Sequence, residues 1–271
     1  MEFVDTHCHI HESHISDNPK DATQKKWIAA GSPAPATLVE KAAEAGVTRL
    51  ICVGCTFEDS MRAVQFAQTW PNVWASIGIH PHEATRHLQN PGLLTRFAQL
   101  AAEHKVAAVG ECGLDYFYNH SPKKDQETIL RFQLELAQKH DLPMIFHVRE
   151  AFNDFWPIFD EYDIKGGVIH SFTATKKELD EILARGLYVG LNGIMTFTKN
   201  AGQLTAAKAV PRNRLLLETD APFLTPAPQR DTICEPKHVR VTAKFLAELR
   251  GETLADIAAA TTRNAQLLFD L

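Results

Sequence analysis

Short apolar or β-branched runs, each followed by a longer segment of helical periodicity, recur from one end of the sequence to the other. This rhythm limits the fold more than anything else in the chain. It specifies βα units and a parallel sheet, since parallel neighbours need a crossover long enough to hold a helix. Eight runs qualify as strands: Phe3 to His9, Arg49 to Gly54, Val73 to His80, Val106 to Glu111, Pro143 to Val148, Gly167 to His170, Leu187 to Gly190 and Arg214 to Thr219. Eight strands with intervening helices in 271 residues match an α/β chain of the closed (β/α)8 TIM-barrel type better than a doubly wound open sheet, which uses fewer strands. No linker interrupts the alternation, so residues 1–271 are expected to form one domain.

The connections support this reading. Leu93, Leu94, Phe97, Leu100 and Ala101 share one face of a helix expected over Pro91 to His104. Gly46 and Gly186 each stand between a helical run and a strand, where a left-handed C-cap suits glycine. Pro236 to Phe269 reads as two further helices. Glu12 to Pro35, with few large apolar residues, reads as a loop inserted over the barrel mouth.

Composition removes several classes. Lys plus Arg number 28 against 33 Asp plus Glu, a formal charge of −5, which excludes a basic nucleic-acid coat. At 45% hydrophobic and 23% charged, the chain is neither disordered nor collagenous. Five cysteines are an odd set and fit a reduced, cytoplasmic protein better than a disulfide scaffold. The opening MEFVDTHCHIHE has no basic-then-apolar leader pattern, and no 18 apolar residues run uninterrupted, so neither secretion nor membrane insertion is expected.

The informative observation is where the polar residues fall. The C-terminal ends of the expected strands carry His7 and His9, then His80, Glu111, His147, His170 and the Glu218-Thr219-Asp220 run, while strand interiors such as RLICV and RLLL are apolar. In a barrel these ends meet on the face that carries chemistry. One His-x-His pair arises readily by accident among 13 histidines, but accidents would not gather ligand-type residues at the ends of five strands. Imidazole with carboxylate suits Zn²⁺, Mn²⁺, Fe²⁺ or Ni²⁺, whereas carboxylate alone suits Mg²⁺ or Ca²⁺. Six ligands, His7, His9, Glu111, His147, His170 and Asp220, exceed what one tetrahedral zinc requires, so two divalent ions are expected.

Six stretches together resemble the TatD family of metal-dependent hydrolases, within the amidohydrolase-like barrels: Asp5-Thr6-His7-Cys8-His9, Gly78-Ile79-His80-Pro81-His82, Gly110 to Tyr116, His147 to Ala151, Ile169 to Phe172 and Leu217 to Pro222. The resemblance implies nuclease activity, chiefly on DNA. It also implies roles: His7 and His9 on one metal, Glu111 bridging, His147 and His170 on the second, and Asp220 a ligand near the attacking water. Zn²⁺, Mg²⁺ and Mn²⁺ are the expected ions. Cys234-Glu235-Pro236 stands where members often show Asn-Glu-Pro, a departure that bears on substrate preference. Hydrolysis of an amide or ester, as in D-aminoacyl-tRNA deacylation, is the competing expectation. No G-x-S-x-G elbow, G-x-G-x-x-G or P-loop points elsewhere.

Around this set, Asp220 and Glu111 are the expected catalytic carboxylates, with Asp220 orienting the water or taking its proton. His80 or His82 would donate to a phosphate, and Arg149 offers it a planar fork. Tyr116, Phe117 and Tyr118 either stack an unpaired base or cap the mouth. Cys8 and Cys112 alternate away from the ligands and read as core thiols. Two divalent ions add +4 where phosphate must dock, so net charge does not forbid a DNA or RNA substrate. With few Lys and Arg clusters, ends or single strands suit such a monomer better than internal duplex.

Overall fold

The computed structural model describes residues 1–14 and 22–271. Its strands are β1 (Phe3–Cys8), β2 (Val47–Val53), β3 (Val73–Ile77), β4 (Val106–Asp115), β5 (Met144–Arg149), β6 (Gly167–Ile169), β7 (Tyr188–Leu191) and β8 (Leu215–Leu217). The helices are α1 (Ala22–Ala29), α2 (Pro35–Glu44), α3 (Phe57–Gln68), α4 (Ala84–Leu88), α5 (Pro91–Leu100), α6 (Lys123–His140) and α7 (Phe152–Phe159). They continue with α8 (Lys176–Ala184), α9 (Ala201–Ala209), α10 (Val239–Arg250) and α11 (Leu254–Phe269). The strands follow one another β1 to β8 in a single sheet, and each described pair is parallel.

Contacts group the chain into two compact units. The first comprises Met1–Cys52, Ser171–Leu267 and Leu271. Within it β1 has β2 on one side, with Phe3 opposite Val47 and Cys8 opposite Cys52. On its other side lies β8: Thr6 Oγ1 donates to the Leu217 carbonyl at 3.0 Å, and Cys8 bridges to Ala221. The first strand therefore adjoins the last, as barrel closure requires. Phe3, Leu50, Ile51 and Leu216 are fully buried. From α11, Thr262 Oγ1 donates to the Glu2 carbonyl at 2.9 Å and Asn264 Nδ2 to the Leu215 carbonyl at 2.8 Å, so the tail helix is tied to both closing strands.

The second unit comprises Val53–His170 and Leu268–Asp270. In β4 and β5, Val109 faces Met144, the register shifts, and then Cys112, Gly113 and Asp115 face Phe146, His147 and Arg149. Helix α6 buries Gln126, Ile129, Leu130, Gln133, Leu134 and Ala137, one stripe at helical spacing. Its two buried glutamines work as brackets. Gln133 accepts from the Ile79 N–H at 2.8 Å and donates to the Ile79 carbonyl at 3.0 Å, while Gln126 does the same for Asp115 at 2.8 and 3.1 Å. Backbone groups beyond strand ends are thus satisfied by side chains, which fixes the segments carrying His80 and Asp115.

Three sequence expectations need correction. β4 runs four residues past Glu111, because Gly113, with φ +146°, lets it lie directly against the His147 backbone. The segment Glu12 to Pro35 is not all loop: α1 lies in it, and its fully buried Trp27 donates from Nε1 to the His9 carbonyl at 3.1 Å. Residues 15–21 of that segment lie outside the described residues. Helix α5 ends at Leu100 rather than His104, and of its expected stripe Phe97 and Ala101 are buried whereas Leu93, Leu94 and Leu100 are only half-buried. The two tail helices and the left-handed Gly46 and Gly186 are found as expected, with φ +86° and +70°.

Candidate metal centre

In the first unit the imidazoles of His7 and His9, two residues apart on and just past β1, point the same way by strand alternation. Both are buried. Their Nε2 atoms lie 3.6 and 3.4 Å from one oxygen of Asp220, Oδ1. Asp220 follows β8 in the left-handed region, φ +61°, a conformation Asp tolerates better than most residues, and its N–H donates to the His7 carbonyl at 2.8 Å. Asp5, fully buried one turn of pleat before His7, locks this arrangement. It accepts from the Thr219 N–H at 2.9 Å, from Thr219 Oγ1 at 2.5 Å and from the His7 N–H at 3.3 Å. Burial pushes the Asp5 carboxyl well above the usual carboxylate range.

Glu218 belongs to the same polar run but does not join this group. Its carboxylate accepts from the Ser171 N–H at 2.7 Å and from Asn192 Nδ2 at 3.1 Å, in space that Gly190 leaves by having no Cβ. It holds the chain after β6 to the ends of β7 and β8.

In the second unit Glu111 is the focus. Its Oε1 lies 2.8 Å from His147 Nδ1, 3.4 Å from His170 Nε2 and 3.6 Å from His80 Nε2. Ligand atoms of His80, Glu111 and His147 lie close enough together to hold one ion. The nitrogens differ in what is left to them. His147 donates Nε2–H to Asp115 Oδ2 at 3.0 Å, which leaves Nδ1 for a metal, the carboxylate–imidazole arrangement common behind metal ligands. His80 Nδ1 accepts the His82 N–H at 3.2 Å, so a neutral His80 carries its proton on Nε2, facing Glu111 as a donor rather than a ligand. Burial lowers the His80 pKa and so favours that neutral ring.

Asp115 is the residue that sequence reasoning left out. It is fully buried, and its Oδ2 also receives His82 Nε2 at 3.0 Å. Burial works against its ionised form, but the bonds from His147 and His82 outweigh this and hold the carboxyl well below the usual range. Burial likewise works against a charged His147, and the bonds to Asp115 and Glu111 reverse the sign. Cys55 was also missed; its Sγ lies 3.7 Å from Glu111 Oε2. By contrast Cys8 and Cys112 are buried thiols bonded to the Ile51 and Ile145 carbonyls, as alternation predicts.

Each unit thus brings its expected residues together: His7, His9 and Asp220 in one, Glu111, His147 and His170 in the other. Both sets pair imidazole nitrogen with carboxylate oxygen and are mostly buried, which fits divalent cations of the zinc and manganese type. Arg149 lies apart from Glu111 chemistry: it is exposed, with its guanidinium over the rings of Phe117 and Tyr118 at 4.2 and 4.7 Å.

Comparison with known proteins agrees with this chemistry. Residues 4–270 match the family described as TatD related DNase. A Bacillus subtilis protein named uncharacterized metal-dependent hydrolase YabD is 36% identical over 234 residues, covering 86% of this chain and 91% of that protein. The 3'-5' ssDNA/RNA exonuclease TatD of Cronobacter sakazakii is 37% identical over 242 residues, covering 86% and 90%. Among solved structures, YjjV, a TatD homolog from Escherichia coli, superposes with a TM-score of 0.84 at 28% identity and covers 99% of this chain and 98% of its own. That likeness, with the β1-to-β8 strand order, makes the fold a (β/α)8 barrel. The chain belongs to the TatD family of metal-dependent hydrolases.

Proposed function

We propose that this enzyme hydrolyses phosphodiester bonds of DNA at the ends of single strands, with RNA as a second substrate, using two divalent ions for which the His7–His9–Asp220 and Glu111–His147–His170 sets would supply ligands. The observation that carries this is the cluster of His147 Nδ1 and His170 Nε2 at 2.8 and 3.4 Å from Glu111 Oε1, imidazole with carboxylate as a divalent ion of the zinc or manganese type requires. The relatives named as ssDNA/RNA exonucleases favour a nucleic-acid substrate over an amide. A monomer in the reducing cytoplasm is the proposed working unit, in keeping with five free thiols. Among the described residues no helix is long and apolar enough to cross a membrane.

Divalent ions held by these residues would polarise a phosphoryl oxygen and bring the pKa of water towards neutrality. The chain's own groups do the rest. Asp220, an acceptor at neutral pH, orients the attacking water and takes its proton at a carboxylate oxygen. Glu111 presents its carboxylate between His147 and His170, where it would hold an ion with them. His80 presents Nε2–H as a donor to the charge that builds on phosphate oxygen, and Arg149 offers its fork to a neighbouring phosphate.

The test is an end-labelled single-stranded DNA and its RNA counterpart incubated with chelated protein and then with added Mg²⁺, Mn²⁺ or Zn²⁺. Stepwise loss of nucleotides from one end, absent after chelation and restored by at least one ion, is expected. If no ion restores cleavage of either strand, the nuclease reading fails, and turnover of a charged tRNA in its place would install the deacylase reading.

A further inference from the structure

Phe117 and Tyr118 are each 52% exposed, among the few large apolar side chains that the described residues leave in water. Their rings meet edge to face, 4.8 Å apart at 89°, and Tyr118 also lies nearly parallel to the His120 ring at 6.0 Å. The Arg149 guanidinium lies over both rings. Among the described residues no carboxylate pairs with Arg149, so its charge and its five N–H donors stay available.

This cluster is anchored to a metal-ligand side chain by one carboxylate. Asp115 Oδ1 accepts from the backbone N–H groups of Phe117 and Tyr118 at 3.0 and 2.9 Å, while Oδ2 receives His147. The β4–β5 register adds a second tie, with Asp115 opposite Arg149 and the Tyr116 N–H donating to the Arg149 carbonyl at 3.0 Å. Exposed rings cost solvation free energy, and a turn that served only packing would fold them inward. Here the backbone is fixed so that they stay out, next to an uncompensated cation.

We infer that Phe117, Tyr118 and Arg149 form a stacking subsite for one unpaired nucleobase of a single-stranded nucleic acid, with Arg149 also meeting that nucleotide's phosphate. The choice of ligand rests on the nuclease reading. An exposed ring beside a guanidinium offers a base one plane to stack on, and the positive charge matches a polyanion, whereas an apolar protein partner would need a wider surface. Every base has a π-face, so the subsite accepts strands regardless of sequence and reads single-strandedness instead.

Binding separates this inference from cleavage. A fluorescent single strand with hydrolysis-resistant phosphorothioate linkages is compared with the same strand made abasic at its terminal positions, using anisotropy with metal-loaded protein. The wild type is expected to bind the intact strand about tenfold more tightly. Replacing both rings, Phe117→Ala with Tyr118→Ala, should erase that preference while leaving affinity for the abasic strand in place. The pair Phe117→Leu and Tyr118→Leu, which keeps apolar bulk but no π-face, should do the same, and Phe117→Trp should retain the preference. Equal binding of both strands by the wild type, binding of neither, or a preference that survives the leucine pair overturns the subsite. A base preference with no cleavage of an unmodified strand of the same sequence would instead sink the nuclease reading and leave the subsite standing.

Discussion

Asp115 Oδ2 lies 3.0 Å from His147 Nε2, and the other nitrogen of that ring lies 2.8 Å from Glu111 Oε1. One buried carboxylate therefore selects which imidazole nitrogen faces the metal side. Asp115→Asn keeps the shape and loses the charge. It should lower affinity for the ion that Glu111, His147 and His170 would hold about 10–100-fold without unfolding the chain. Competitive metal titration against a chromogenic chelator checks this, and an unchanged affinity would remove Asp115 from any supporting role.

Asp220 sits against two imidazoles, yet it is also the carboxylate assigned to the water. Asp220→Asn should reduce turnover by about 10²–10⁴-fold while leaving most bound metal in place. Elemental analysis of the variant beside its hydrolysis rate tests the split. Retained rates would refute the base assignment, and loss of metal in step with activity would make Asp220 a ligand only.

Gly113 joins conformation to register. A Cβ there would run into the His147 carbonyl oxygen, and the φ of +146° is one that L-residues rarely adopt. Gly113→Ala should destabilise the fold by more than about 2 kcal/mol, since strain and collision act together. Urea unfolding at constant m-value is the measurement, and a neutral result would mean the β4–β5 contact is looser than described.

Far from the centre, Asn200 caps α9 by accepting from the Gly202 and Gln203 N–H groups at 2.9 and 3.3 Å. Asn200→Ala should cost about 1 kcal/mol of stability and leave hydrolysis at the wild-type rate. The same urea titration, run beside the cleavage assay, separates the two effects.

The barrel was legible because its strands are apolar runs with uniform punctuation, and the clustering of the candidate ligands was legible because they stand at run ends. Asp115 was not legible because the expected strand stopped at Glu111, which left Asp115 on the loop that follows it, whereas β4 runs on to Asp115. Extending the strand would have put Glu111, Gly113 and Asp115 on one face. Helix α1 escaped because its buried stripe amounts to Gln24 and Trp27. Glu218 and Asp220 share parity in the sequence but diverge in space, since β8 ends at Leu217 and Asp220 turns into positive φ. Alternation holds only while the strand lasts. Arg149 could be named from the sequence, but its place over two exposed rings depends on a register that no single segment encodes.

The Asp5–Thr219 clasp spans 214 positions of sequence. A growing polypeptide presents His7 and His9 early, but their acidic companion arrives only when the final strand docks. Any cation that this pair would hold together with Asp220 must therefore wait until the last strand has docked against the first.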